Sequence, residues 1–242
     1  MERTILMLLF AVPNLFLIAA AVIPALALMV YVYRADKVEK EPHRLLGTLI
    51  LHGIVATALA AWTEKISATL LAFILDEESL LYRLLLYFLV VGLAEEGFKY
   101  MLLKRRTWKS PDFNWQFDAV VYAVFVSLGF ALWENIEYVV LYGFGTALIR
   151  AVTAIPGHAC FGVFMGAWYG LAKAHENNGN EENSRTCRWL ALICPTLLHG
   201  LYDFIATQNN DSAAVFFLIF IGLMFFAAYR TVRHLSQHDR SI

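Results

Sequence analysis

The sequence predicts an all-α fold, a polytopic bundle of about seven transmembrane helices forming one domain over residues 1–242, and three observations predict it. Hydrophobic side chains make up 60% of the chain and mean hydropathy is +0.59, against roughly 45–50% apolar residues in a soluble domain. Apolar stretches recur that approach or exceed the roughly 20 residues a helix needs to cross a bilayer. Lysine and arginine gather in alternate loops, as they do in membrane proteins with a fixed orientation. The net charge of −1 provides no basic field for nucleic acid. Cys160, Cys187 and Cys194 have no metal or redox spacing and read as small packed side chains.

The first span is expected at about 8–33. Its apolar run exceeds the roughly 7–15-residue core of a cleavable signal peptide, so it stays in the protein, with Pro13 and Pro24 as candidate kinks. A charged loop from Arg34 to Arg44 leads to a second span at about 45–62 and an interfacial segment at about 63–81 containing Lys65, Asp76, Glu77 and Glu78. The third span, about 84–103, ends at Lys104-Arg105-Arg106, and the fourth covers about 117–142. A tight turn at Gly143-Phe144-Gly145 opens the fifth, about 147–172. A polar loop at 173–188 reads as mobile; spans at about 189–207 and 213–229 and a soluble, partly basic tail from about 230 complete the chain. The loops after odd-numbered spans collect most of the basic residues, while the other face has only Arg3, Lys65, Arg83 and Arg150. The bias orients the N-terminus out and the C-terminus in.

Ionisable residues interrupt these apolar runs. Glu95, Glu96 and Lys99 lie in the third span, Glu134 and Glu137 in the fourth, His158 in the fifth, and His199 and Asp203 in the sixth, with Asn135 adding an amide. A charge at the bilayer centre costs about 2.5–3.5 kcal/mol on insertion scales, so such residues face a cavity, pair, and carry function. Lys99 follows Glu95 by four residues and Glu96 by three, within helical reach of both. His199 and Asp203, four apart, share a face, so the aspartate can fix the imidazole tautomer. The groups fall at one depth near the middle of four helices, in a site expected to open toward the cytoplasm or sideways between helices. Phe130, one turn before Glu134, reads as packing.

Such a layer can hydrolyse a peptide bond: a carboxylate takes a proton from water and imidazoles support the oxyanion. The same groups can bind a divalent, zinc-like metal that activates the water, with no cofactor strictly required. They can also form the relay of a proton- or ion-coupled transporter. Other intramembrane protease chemistries lack their parts: there is no His-Glu-x-x-His, no Gly-x-Ser-Gly around Ser127, and no Gly-x-Gly-Asp to partner Tyr202-Asp203.

Three motifs occur in order on successive spans: Glu95-Glu96-Gly97-Phe98-Lys99, Phe130-Ala131-Leu132-Trp133-Glu134 and His199-Gly200-Leu201-Tyr202-Asp203. With Glu41-Pro42 after the first span, they resemble the PrsW family of intramembrane proteases, related to the CAAX-prenyl endopeptidases and bacteriocin-processing membrane proteins. The resemblance runs from Tyr33 to about Phe204. It implies a glutamate-dependent endopeptidase of the bacterial inner membrane that cleaves a single-span membrane protein, of the type of a regulatory anti-sigma factor, with Glu95, Glu96, Glu134, His199 and Asp203 as functional residues. His158 joins them by depth, with Lys99 and Asn135 supporting. In the related prenyl-protein proteases a histidine takes the place of Glu134. Nothing in the chain fixes an oligomeric state.

Overall fold

The computed structural model describes residues 2–208 and 210–242, with side chains from Ile18 onward. Arg3 and Pro13 lie outside the described side chains. The architecture is helical: α1 (Glu2–Ala35), α2 (His43–Ile74), α3 (Leu80–Leu85), a π-helical segment (Leu86–Gly92), α4 (Leu93–Thr107), α5 (Asp118–Tyr142), α6 (Phe144–Val152), α7 (Ala154–Asn177), α8 (Glu181–Ala206) and α9 (Asp211–Gln237).

Six helical stretches among the described residues are long and apolar enough to cross a membrane, α6 with α7 counting as one. The expected third span is not among them, because α4 itself has only 15 residues and its apolar stretch carries three charges, Glu95, Glu96 and Lys99. Helical without a break from 80 to 107, it returns the chain to the face where α2 and α5 begin. That shared face is fixed by Tyr122 of α5, whose hydroxyl reaches the Glu41 carboxylate just before α2 and the Asp112 carbonyl just after α4.

Several expected boundaries are corrected. Residues 63–74 are not a separate interfacial segment but the last twelve residues of α2, in which Lys65 turns outward while its neighbour Glu64 turns in. The polar loop expected at 173–188 shrinks to 178–180. Gly179, at φ 74°, ends α7, and the Asn180 side chain caps α8 by accepting from the Asn183 N–H at 3.1 Å. The tail is helical to Gln237, and its last residues dock on the α4–α5 loop through Gln116 N–H to the Arg240 carbonyl and Ile242 N–H to the Asn114 carbonyl, both 2.9 Å. The turn at Gly143 takes a single residue at φ 83°, and the fifth span breaks at Thr153 into α6 and α7.

Helix α5 is the axis: every residue from 118 to 131 is buried, and α1, α2 and α7 pack around it. Lipid is as apolar as leucine, so helices associate through close approach of small residues. Gly162, Gly166 and Gly170 put such a stripe on α7 against α5; a Cβ on Gly166 would lie 2.5 Å from the Val120 Cα. Gly53 and Gly129 bring α2 equally close to α5, where side chains would overlap the Val126 and Ile50 carbonyls.

Gly166→Ala is expected to destabilise the protein by about 1–3 kcal/mol through overpacking. Gly222→Ala, where a Cβ meets nothing within 4 Å, should be neutral or stabilising by up to about 1 kcal/mol. Thermal unfolding in detergent reads both, and equal losses would contradict this packing.

Candidate active site

The π-helical segment sets the register of the acidic pair. Its wider turn ends at Gly92, which packs against the Thr196 carbonyl of α8, while Gly200 of α8 receives the Phe88 ring. At Gly92 no side chain separates the backbones, so the first turn of α4 meets His199 directly. Wide turns of this kind recur at functional sites.

Lys99 lies at the centre of the polar groups and is fully buried. Its Nζ is 3.1 Å from Glu95 Oε2, 2.7 Å from Glu96 Oε1 and 3.1 Å from His158 Nδ1, and it sits 3.8 Å from the centroid of the Phe130 ring. An ammonium has three hydrogens and no lone pair. His158 Nδ1 therefore accepts, which leaves the ring proton on Nε2, donated to Glu134 Oε2 at 2.9 Å. Glu134 also pairs with Arg150 Nη2 at 2.8 Å; Arg150 Nε donates to Asn135 Oδ1, and Asn135 Nδ2 to the Ala21 carbonyl, each at 3.0 Å. His199 approaches Glu96 Oε1 through Nδ1 at 2.9 Å and stacks on Phe161 at 4.7 Å. Its other nitrogen is 3.5 Å from Asp203 Oδ2, so Glu96, not Asp203, is its closer partner.

These groups border a cavity of 340 Å³. Glu95, Glu134, His158, His199 and Asp203 line it; Glu96 and Lys99 lie behind its wall, and Asn135 is buried against α1. The lining continues to Glu137, Tyr138 and Thr207, at the ends of α5 and α8 remote from the basic loops. The site thus leans toward the short-loop face and not toward the basic one. Ser127 is fully buried and outside the lining.

Three lining residues escape sequence reasoning. Glu64 sits beside Trp62, Thr63 and Lys65, where hydropathy falls and a span ends on paper. Arg150 counts as a loop charge until α6 is seen as a lipid-facing helix, with Leu148, Ile149 and Val152 outward and Ala147 buried inward. Phe130 is more than packing, since its face carries the Lys99 ammonium.

Glu95, Glu96, His158 and His199 each offer one ligand atom within 4.8 Å of the others. Carboxylates and imidazoles are the donors zinc takes, and Glu96 Oε2 is buried with no hydrogen-bond partner. The set fits a divalent metal in chemistry. Lys99, however, holds three of the same four residues, so an ammonium and a metal would compete for the same lone pairs.

Lys99→Met should destabilise the protein by about 3–5 kcal/mol, because two buried carboxylates lose their cation. Adding Glu95→Gln should restore part of the loss, which unfolding of single and double variants would measure; strict additivity would argue against the coupling.

The family described as PrsW family intramembrane metalloprotease matches residues 41–229. The chain is 31% identical to Protease PrsW of Oceanobacillus iheyensis, over 90% of this chain and 96% of the relative. It is 32% identical to Protease PrsW of Bacillus subtilis, over 81% and 84%, and 30% identical to that of Clostridioides difficile, over 95% and 94%. No solved structure matches it. On the extent of these matches the chain is a membrane protein belonging to the PrsW family of intramembrane proteases.

Proposed function

We propose that the chain is a glutamate-dependent intramembrane endopeptidase in which Glu95 is the general base. The observation that carries this is the division of labour in the acidic pair: Glu95 lines the cavity, while Glu96 is sealed behind it between Lys99 and His199. A water in the cavity gives its proton to Glu95 as its oxygen attacks the scissile carbonyl carbon. The oxyanion is met by donors that line the cavity, the Arg150 guanidinium, the Tyr202 hydroxyl and His199. Collapse breaks the C–N bond, and Glu95 returns the proton to the leaving amine. His158 and Asn135 hold Glu134 and Arg150 in place, and Lys99 fixes the carboxylate pair.

A divalent ion bound by Glu95, Glu96, His158 and His199 would polarise the water as a Lewis acid. Lys99 would first have to release three of those residues.

The cavity's place supports a substrate class. A site between lipid-facing helices suits an unwound segment of a single-span membrane protein, and regulatory proteins of the anti-sigma-factor type are such substrates. With the basic loops on the inside of a bacterial cytoplasmic membrane, the lining residues Glu137 and Thr207 favour cleavage near the outer end of the substrate span.

In proteoliposomes with a single-span substrate, Glu95→Gln should lower cleavage by about 10²–10⁴-fold with folding retained. Glu96→Gln should lower both activity and melting temperature, since His199 and Lys99 lose their shared anchor. Wild-type cleavage by Glu95→Gln would overturn the assignment. Metal content measured alongside, with and without chelator, separates the ammonium-held site from a metal-held one.

A further inference from the structure

A second cluster of buried carboxylates lies far from the cavity. Asp36 follows α1, Glu41 precedes α2, and Asp118 opens α5, sixteen residues or about 24 Å of helix from Glu134. All three are buried, 1–3% exposed, and one carboxylate oxygen of each lies within 4.8 Å of the others. The catalytic carboxylates have Lys99 and Arg150; among the described residues no lysine, arginine or histidine forms an ion pair with these three. Lys40, the obvious candidate, turns its Nζ instead to the backbone carbonyls of Tyr33, at 2.7 Å, and Asp36. Asp239, bonded to the Phe117 N–H at 2.9 Å, brings another carboxylate to the neighbouring residue.

Hydrogen bonds orient the cluster without neutralising it. Asp118 Oδ2 accepts from the N–H groups of Asn114 at 3.0 Å and Trp115 at 2.7 Å, and Glu41 Oε2 accepts from the Tyr122 hydroxyl at 2.6 Å. Asp36 Oδ2 is buried with no hydrogen-bond partner. An unpaired buried charge is strongly unfavourable, so a folded chain must neutralise this group with a cation or with protons.

We propose that Asp36, Glu41 and Asp118 bind a divalent, oxygen-preferring cation. Three carboxylates with no nitrogen or sulfur donor are the ligands of magnesium, calcium or manganese, not of zinc. The ion would staple the end of α1, the approach to α2 and the start of α5, next to the docked tail. It is separate in place and ligand chemistry from the catalytic residues.

The test uses the full chain in detergent, stripped with EDTA and titrated with manganese chloride, with free Mn²⁺ read by electron paramagnetic resonance. The catalytic cluster is removed as a competitor with Glu95→Gln/Glu96→Gln. One Mn²⁺ per chain should bind in that background, be displaced by Mg²⁺ or Ca²⁺, and raise the melting temperature. Asp36→Asn or Glu41→Gln, added singly, should weaken binding at least tenfold; two variants guard against one that fails to fold. Binding present in the unsubstituted chain but lost with the two catalytic glutamates would overturn the proposal. So would an EDTA-stripped protein that binds no Mn²⁺ and melts unchanged, which would leave a proton shared between Glu41 and Asp118 as the neutralising charge.

Discussion

Lys99 places one positive charge among Glu95, Glu96 and His158, and the rest of the site depends on it. Two carboxylates at this depth would otherwise repel each other with little solvent to screen them. Because the ammonium only donates, it also dictates the tautomer of His158 and so the direction of the hydrogen bond to Glu134. A charge on α4 therefore sets a proton on α7 and a contact to α5. Phe130 completes the seat, its ring lying 3.8 Å from the ammonium.

That arrangement requires backbones closer than ordinary side chains allow. Glycines on α7 and α2 press both helices onto α5, and Gly92 and Gly200 do the same for the π-helical segment and α8. Membrane helices have little hydrophobic drive to associate, so these approaches supply dispersion contacts instead. Glu95, His158 and His199 belong to three helices that meet because small residues clear the way. The glycine within Glu-Glu-Gly-Phe-Lys is different: a Cβ on Gly97 would meet nothing within 4 Å.

Much of this was legible in the sequence because membranes penalise misplaced charge so heavily. Glu95, Lys99, Glu134, His158 and His199 stood out as polar groups in apolar runs, and the structure brings all of them together. Glu64 and Arg150 were hidden by the same rule applied too broadly. Each lies where averaged hydropathy drops, and averaging does not distinguish a helix that leaves the membrane from one that turns a single polar side chain inward. Lys65 exposed beside Glu64 half-buried shows the difference, which is one of helical phase. The polar loop at 173–188 misled in the opposite way: composition suggested mobility, whereas Gly179 and Asn180 provide a stop and a cap that shorten it to a turn. The preference of His199 for Glu96 over Asp203 depends on the π-helical register, which no spacing rule conveys.

The two buried acidic clusters solve one problem differently. Around Glu95 and Glu96 the compensating charge is covalently part of the chain, placed one helical turn away on the same helix, so the pair stays oriented beside the cavity. Around Asp36, Glu41 and Asp118 the chain supplies orientation but, among the described residues, no ion-paired cation, as Lys40 is committed to backbone carbonyls. A fixed internal cation suits a centre whose geometry must persist through a reaction. An external one suits a junction of loop, helix start and tail, where binding a small ion can couple segments that share little apolar surface.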